Sequence, residues 1–266
     1  MQRFSTRRLG VAGLLLGVIL AVSLLAPLLA THDPRHAVPE EQLQAPSYDH
    51  FLGTDLLGRD VYSRVVFGGR RVLVIAGLTL VITAPVGLLI GVLAGFVGRW
   101  LDTALMTLVD ALLAFPNLLL ALALVTLFGD GIMQIGVAVG VAAIPAYARV
   151  TRAAVLEARA RPFVEGARAL GASPLAVVWR HIVPTIMPPL LAFTSVTLSW
   201  AILNGAALAF IGYAGDICAT DWGIMLADGR ATFRTAPWIA CAPGVALSTL
   251  IFALNLLGNG LSSGRT

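Results

Sequence analysis

The sequence predicts an all-α integral membrane protein with six membrane-spanning helices, and three observations carry that expectation. Of its 266 residues 58% are hydrophobic and only 12% are charged, about half the charged share of a soluble domain. The mean hydropathy is +0.88. The apolar residues also fall into runs of about 20, the length that crosses a bilayer as a helix. Inside lipid every backbone N–H and C=O must be satisfied within the segment, which favours helices.

The runs justify the elements in order. Residues 1–8 hold Arg3, Arg7 and Arg8, and Leu9 to Thr31 is free of charge. A run of that length exceeds the core of a signal peptide, so it reads as an uncleaved first span after a short basic tail. Residues 32–71 form a polar loop with Pro34, Pro39 and Pro46. From Arg59 on, Val61, Tyr62, Val65 and Val66 recur at helical spacing, which predicts an amphipathic helix at the interface. This helix orients the next span or offers a docking surface for a partner.

Val72 to Gly98 is the second span, with Pro85 inside it and Gly87, Gly91 and Gly95 on one face. Small residues every four positions allow close helix contact. A short turn over Gly98-Arg99-Trp100-Leu101-Asp102 leads into a third span that ends at about Phe128 and contains Asp110 and Pro116, and Ile132 to Ala148 makes the fourth. A carboxylate at membrane depth normally faces protein or water, so Asp110 is either a pore-lining group or the partner of a nearby arginine. Thr185 to Tyr213 is the fifth span, with Asn204 in it as a second polar candidate, and Ile239 to Leu257 is the sixth. Trp222 and Trp238 suit an interfacial aromatic belt. The core thus runs over 72–258, and 259–266 is a tail.

All 18 basic residues are arginine. Arg149, Arg152, Arg159, Arg161, Arg168 and Arg180 crowd into 149–184 against only Glu157 and Glu165. By the positive-inside rule this loop is cytoplasmic, and with six spans both termini join it there. The 32–71 and 214–237 loops then face the outside of the plasma (inner) membrane. No basic stripe stands apart from the spans, so lipid rather than nucleic acid is the expected surrounding.

Covalent chemistry has no foothold in this sequence. His32, His36, His50 and His181 are scattered, and His32 with His36 makes a lone i,i+4 pair in a loop. Cys218 and Cys241 have no metal-type spacing and read as ordinary thiols. A phosphate-binding loop ending in Gly-Lys-Ser/Thr is absent, as is lysine altogether. A transporter of this kind must use an ion gradient or borrow a motor. An ion-coupled carrier working alone would carry intramembrane charge pairs and an internal repeat, whereas only Asp110 is found.

The polar island Pro162–Pro184 is the informative segment. Pro162 suits the first turn of a helix, Gly171 a left-handed position just past its end, and Ser173-Pro174 a second cap and start. The expectation is a short helix, a glycine turn and a second short helix that stops near Pro184.

The spacing Glu165-Gly166-Ala167, Gly171, Ile182 and Pro184 resembles the cytoplasmic loop of permease subunits of binding-protein-dependent ABC importers. Gly166 stands where the family has alanine, the isoleucine is displaced by one, and Val183 replaces leucine. Two further stretches are similar to C-type permeases of the dipeptide, oligopeptide and nickel branch. They are Leu52-Gly53-Thr54-Asp55 with Gly58-Arg59-Asp60 and Ser63-Arg64, and Ala209-Phe210-Ile211-Gly212 through Trp222-Gly223 to Ala236-Pro237-Trp238, ending in Asn255-Leu256-Leu257-Gly258.

The resemblance implies a type I ABC importer permease fold and a non-catalytic subunit for dipeptides or oligopeptides; nickel or another small solute is the alternative. It implies that Phe163, Glu165, Gly166, Ala167, Arg168, Ala169, Leu170, Gly171 and Pro184 couple the chain to a cytoplasmic ATPase. Phe163 and Leu170 would be apolar anchors, and Glu165 and Arg168 a pair at the rim. Partners would be a second permease subunit, one or two ATPase subunits that use ATP and Mg, an extracytoplasmic substrate-binding protein on the outer loops, and the peptide. The chain itself would bind no cofactor. The glycine face of the second span is a candidate contact with the second permease.

Overall fold

A computed structural model describes residues 2–216 and 219–263. Among these residues there are helices and no strands, apart from one isolated bridge between Thr54 and Asp60. The helices are α1 (Gln2–Leu24), α2 (Ala26–Leu29), α3 (Val61–Val97), α4 (Arg99–Leu113), α5 (Asn117–Phe128), α6 (Ile132–Arg159), α7 (Pro162–Ala169), α8 (Pro174–Val177), α9 (Val183–Ile211), α10 (Trp222–Ala231) and α11 (Trp238–Ser263). A π turn over Val178–Ile182 joins α8 to α9.

Four stretches are long and apolar enough to cross a membrane: Val61–Val97, Ile132–Arg159, Pro174–Ile211 and Trp238–Ser262. The pair α4 and α5 makes a fifth when taken together, bent by 91°. Leu9–Leu24 is a shorter apolar helix.

The bundle is built on α3 and α6, which pack along most of their lengths. A Cβ at Gly87, Gly91 or Gly95 would lie under 3.0 Å from Tyr147, Thr151 or Val155 respectively, so this face brings the two backbones together. The glycine face is thus consumed inside the chain, which corrects its expected role as a contact with a second permease. Helix α9 lies against α6 and α11, and α1 packs on α11 and α3. Polar side chains bond across helices: Thr83 Oγ1 donates to the Gly140 carbonyl at 2.7 Å, and Tyr147 shares a hydrogen bond with Thr194 at 2.9 Å.

Several expected boundaries shift. The helix read as interfacial from Arg59 on is the first part of α3, which runs unbroken to Val97. Asp60 starts it by accepting from the Ser63 N–H at 2.8 Å, an N-cap. Val61 and Val66 are buried rather than spread on an interface. The first span breaks at Leu25, with Pro27 in the first turn of the next short helix. The third span breaks at 114–116, where Pro116 lacks a donor and keeps Phe115 out of helical geometry. The fourth extends to Arg159, because its alanine-rich arginine segment is a good helix former and each charge finds a partner. The last helix runs to Ser263 rather than ending at 257.

The largest correction concerns Pro184. The second short helix does not stop there but continues through the π turn into α9. A widened turn accommodates the missing N–H and bulky ring of a proline. Cys241 is exposed, and Cys218 lies outside the described residues.

Candidate functional site

Helix α7 is short, projecting and held by one buried side chain. Pro162 occupies its first turn, Glu165 lies near its positive end and Arg168 near its negative end, both favourable to the helix dipole. Gly171 ends it at φ +85°, a backbone region costly for any residue with a Cβ. The Gly171 N–H bonds to the Arg168 carbonyl and the Ala172 N–H to the Ala167 carbonyl, each at 3.0 Å, which satisfies two helix-end acceptors. Ser173 then caps α8 by accepting from the Ala176 N–H at 3.3 Å.

Val164 is fully buried among Tyr147, Val155, Ala158, Val177, Ile182 and Ile186. Those residues come from the end of α6 and the beginning of the α8–α9 rod, so α7 sits at the joint between them. Arg159 adds a third element, donating from Nη1 to the carbonyls of Gly95 and Phe96 at 3.3 and 3.0 Å at the end of α3. Three more arginines of this region are also engaged. Arg152 makes a bidentate pair with Asp102 at 2.5 and 2.6 Å, Arg161 bonds Glu157 at 2.7 Å, and Arg168 lies over the Phe96 ring with Cζ 5.5 Å from its centroid.

Of the residues expected in this segment, the structure gathers Phe163, Glu165, Gly166, Ala167, Arg168, Ala169, Leu170 and Gly171 on and after one exposed helix. Pro184 is also exposed but stands apart, at the start of α9. Arg168 faces Phe96 rather than Glu165, which makes no ion pair among the described residues. Phe163 is 44% exposed and Leu170 90% exposed. Leu175 and Trp179 are also exposed here; the sequence reading passed over them, although two large apolar residues in a polar island were the signal.

At the opposite end of the bundle, the 31–60 segment folds onto the 214–238 segment. Asp55, fully buried, accepts from Arg59 Nε at 2.7 Å and from Arg64. Arg59 and Arg64 both reach Asp228 Oδ2 at 3.3 Å. Trp222 donates from its indole to the Val65 carbonyl at 2.8 Å and Trp238 to the Thr54 carbonyl at 3.1 Å, so both tryptophans serve as ties between segments. Gly58 is required because a Cβ there would fall 1.8 Å from the Val38 carbonyl oxygen. Arg70 caps α1 through the Ser23 and Leu24 carbonyls, both at 2.8 Å.

Outside the spans, burial and hydrogen bonding act on two groups of this end. Burial pushes the Asp221 carboxyl up, against the pull of Arg71 and the Gly223 and Ile224 N–H groups. Burial alone would push the His50 imidazole down, but hydrogen bonds to Asp60 and Glu41 outweigh it and raise the ring above its ordinary value.

Between the two ends lies a cavity of about 690 Å³, walled by the α4–α5 bend, α6 and α9. That size is in the range of small-molecule sites. Phe115, Leu118, Phe193 and Trp200 make it apolar, Asn117, Thr197 and Asn204 supply polar groups, and no charged side chain lines it. Asn204 is among the lining residues, whereas Asp110 lines no part of the cavity. Asp110 is exposed and paired with Arg149, the structural alternative the sequence left open.

Comparison with known proteins places this architecture. The family model described as "Binding-protein-dependent transport system inner membrane component" matches residues 87–263. The chain is 31% identical over 261 residues to the dipeptide transport system permease protein DppC of Alkalihalophilus pseudofirmus, covering 98% of this chain and 86% of that one. It is 36% identical over 267 residues to the di/tripeptide transport system permease protein DppC of Pseudomonas aeruginosa, covering 98% and 88%. It is 34% identical over 262 residues to the glutathione transport system permease protein GsiD of Pectobacterium atrosepticum, covering 98% and 87%. The fold is similar to a solved inward-facing structure of the MetNI methionine ABC transporter, with a TM-score of 0.61 at 22% identity over 76% of this chain and 97% of that chain. With the family model matching two-thirds of its length and relatives matching nearly all of it, the chain belongs to the family of inner-membrane components of binding-protein-dependent transport systems.

Proposed function

We propose that this chain is the permease subunit of an ATP-driven importer of dipeptides or oligopeptides, with α7 as the helix that couples it to a cytoplasmic ATPase subunit. The carrying observation is α7 itself. It exposes Phe163 and Leu170 while Val164 locks it into the joint of α6 and the α8–α9 rod. Exposed apolar anchors on a rigid mount are what a partner's cleft can grip and displace. Leu175 and Trp179 extend the same apolar surface.

In this reading six spans cross the inner membrane: α1 with α2, α3, the bent pair α4–α5, α6, α9 and α11. Both termini and α7 are cytoplasmic. The 31–60 and 214–238 segments face outward and receive a substrate-binding protein. The cavity between α5, α6 and α9 is this chain's half of the path, completed by a second permease subunit. Its uncharged lining, with amide and hydroxyl groups from Asn117, Asn204 and Thr197, suits peptides, whose backbone amides need hydrogen bonds and whose side chains vary. Peptide cargo is favoured because curated relatives covering 98% of the chain are peptide and glutathione permeases. ATP and Mg are used by the ATPase subunits, and this chain supplies no catalytic group.

The test is ATP-dependent uptake of a labelled dipeptide into proteoliposomes containing the assembled transporter. Leu170→Asp changes a surface residue and should leave the unfolding midpoint within the range of ordinary surface substitutions, about 0.5 kcal/mol, while abolishing ATPase association and uptake. Unimpaired association in Leu170→Asp and in Gly171→Pro would sink the coupling assignment. Transport of some other solute, with no peptide uptake, would sink the cargo assignment alone.

A further inference from the structure

The segment that folds over the start of α3 brings together three side chains distant in sequence. One donor atom each from His32, His50 and Asp60 lies within 4.8 Å of the others. His50 and Asp60 are buried, 5% and 1% exposed, and only His32 is open to solvent. The His32 and His50 rings lie 4.7 Å apart, centroid to centroid, tilted by 35°.

The surrounding contacts set the His50 ring between two carboxylates. Glu41 Oε2 lies 3.2 Å from His50 Nε2. Asp60 Oδ1 lies 2.9 Å from His50 Nδ1; in the tautomer that donates from Nε2 to Glu41, Nδ1 is free to ligate. At that distance Nδ1 and Oδ1 share a proton, whose place a cation can take. Asp60 divides its labour, for Oδ2 is occupied as the cap of α3, accepting from the Ser63 N–H at 2.8 Å. His32 Nδ1 is 3.0 Å from Thr31 Oγ1; donation there leaves Nε2 with the free lone pair.

A carboxylate that holds the far nitrogen of an imidazole is the arrangement that orients metal-ligating histidines. Here Glu41 stands in that position behind His50.

We propose that His32, His50 and Asp60 form a binding site for a divalent transition metal ion of the zinc type, with Glu41 as the orienting carboxylate behind His50. Two imidazoles and one carboxylate suit Zn²⁺, Co²⁺ or Ni²⁺ and leave a fourth position for water. Tetrahedral ligation at about 2.1 Å places donors about 3.4 Å apart. The exposed His32 therefore swings inward by about an ångström, while the buried pair barely moves. The ion ties the segment after α2 (His32), the middle of the loop (His50) and the first residue before α3 (Asp60) into one unit. It acts as a clasp on the fold at this end of the bundle, and the assignment does not depend on the transport reading.

The test uses Co²⁺ as a spectroscopic probe on the intact chain purified in detergent after chelation. The expected result is one equivalent bound per chain, with visible absorption of a four-coordinate ion, displaced by Zn²⁺. His32→Ala, at an exposed position, should abolish this band without changing helicity. Glu41→Gln should weaken binding about 10–100-fold, and His36→Ala should leave it unchanged. Failure to bind one equivalent, unaltered binding in His32→Ala, or loss in His36→Ala would each overturn the assignment. In the first case a proton on His50 is what separates Nδ1 from Asp60.

Discussion

Arg64 Nη1 and Asp228 Oδ2 are separated by 164 residues in the chain and by 3.3 Å in space. Arg64 is fully buried, and the same Nη1 also bonds to Asp55. Removing one partner of a buried ionic group typically costs about 3–5 kcal/mol, because the remaining charge is left without compensation. Asp55→Ala, which leaves Arg59 and Arg64 sharing Asp228 alone, should therefore lower the unfolding midpoint of the detergent-solubilised chain sharply. Asp228→Asn should cost less, since that carboxylate is 24% exposed and Asp55 remains. Equal losses, or none, would show that the cluster does not hold the two segments together.

A second prediction contrasts two glycines of α3. At Gly91 a Cβ would fall 2.4 Å from Thr151 Cβ and 2.6 Å from the Ala148 carbonyl oxygen, whereas at Gly77 nothing lies within 4 Å. Gly91→Ala should destabilise by about 1–3 kcal/mol through overpacking. Gly77→Ala should be neutral or gain up to about 1 kcal/mol of helix propensity. Thermal unfolding of both variants in the same detergent measures the difference.

Gly166 yields a third prediction. Its Cβ position is open, so within this chain Gly166→Ala should stabilise α7 by up to about 1 kcal/mol. If transport falls while the isolated chain is unharmed, the ATPase subunit packs closely at residue 166. Unchanged transport would mean that the glycine serves no contact.

For the cavity, Asn204→Leu should leave the fold intact and reduce peptide uptake, because it removes one of few polar groups on an apolar wall. Asp110→Asn should leave uptake near its original level, since that side chain is outside the cavity and its pairing with Arg149 is exposed and worth at most about 1 kcal/mol. Uptake rates at matched protein content decide both. A larger loss in Asp110→Asn than in Asn204→Leu would reverse the assignment.

What was legible in the sequence follows a physical boundary between local and distant determinants. The α7 start at Pro162, the Gly171 turn and the Ser173 cap are set by residues within one turn of each other, and each lies where composition placed it. The spans were legible as apolar runs, since the bilayer imposes their length whatever their neighbours are. Partners were not legible. The glycine face announced close packing but not that Tyr147, Thr151 and Val155 would fill it. Trp222 and Trp238 looked like interfacial anchors, yet their indoles bond to carbonyls on a segment more than 150 residues away. His50, Asp60 and His32 carried no spacing signal because a loop, not a helix, brings them together. Pro116 and Pro184 show the limit of local rules. Both lack a donor, yet one helix bends by 91° while the other passes through, and the neighbouring packing decides which.

The π turn at Val178–Ile182 has a consequence for numbering along the rod. It inserts one residue beyond the regular helical count, so α8 and α9 share an axis but not a phase. Any pattern of faces traced from Leu175 to Leu190 is offset by one position, about 100° of rotation. Excising a single residue from this turn would restore an ordinary helix and rotate α8 by that angle relative to α9, turning Val177 away from the joint in which Val164 is seated. The length of this segment, as well as the identity of its side chains, thus keeps α8 in phase with the seat of α7.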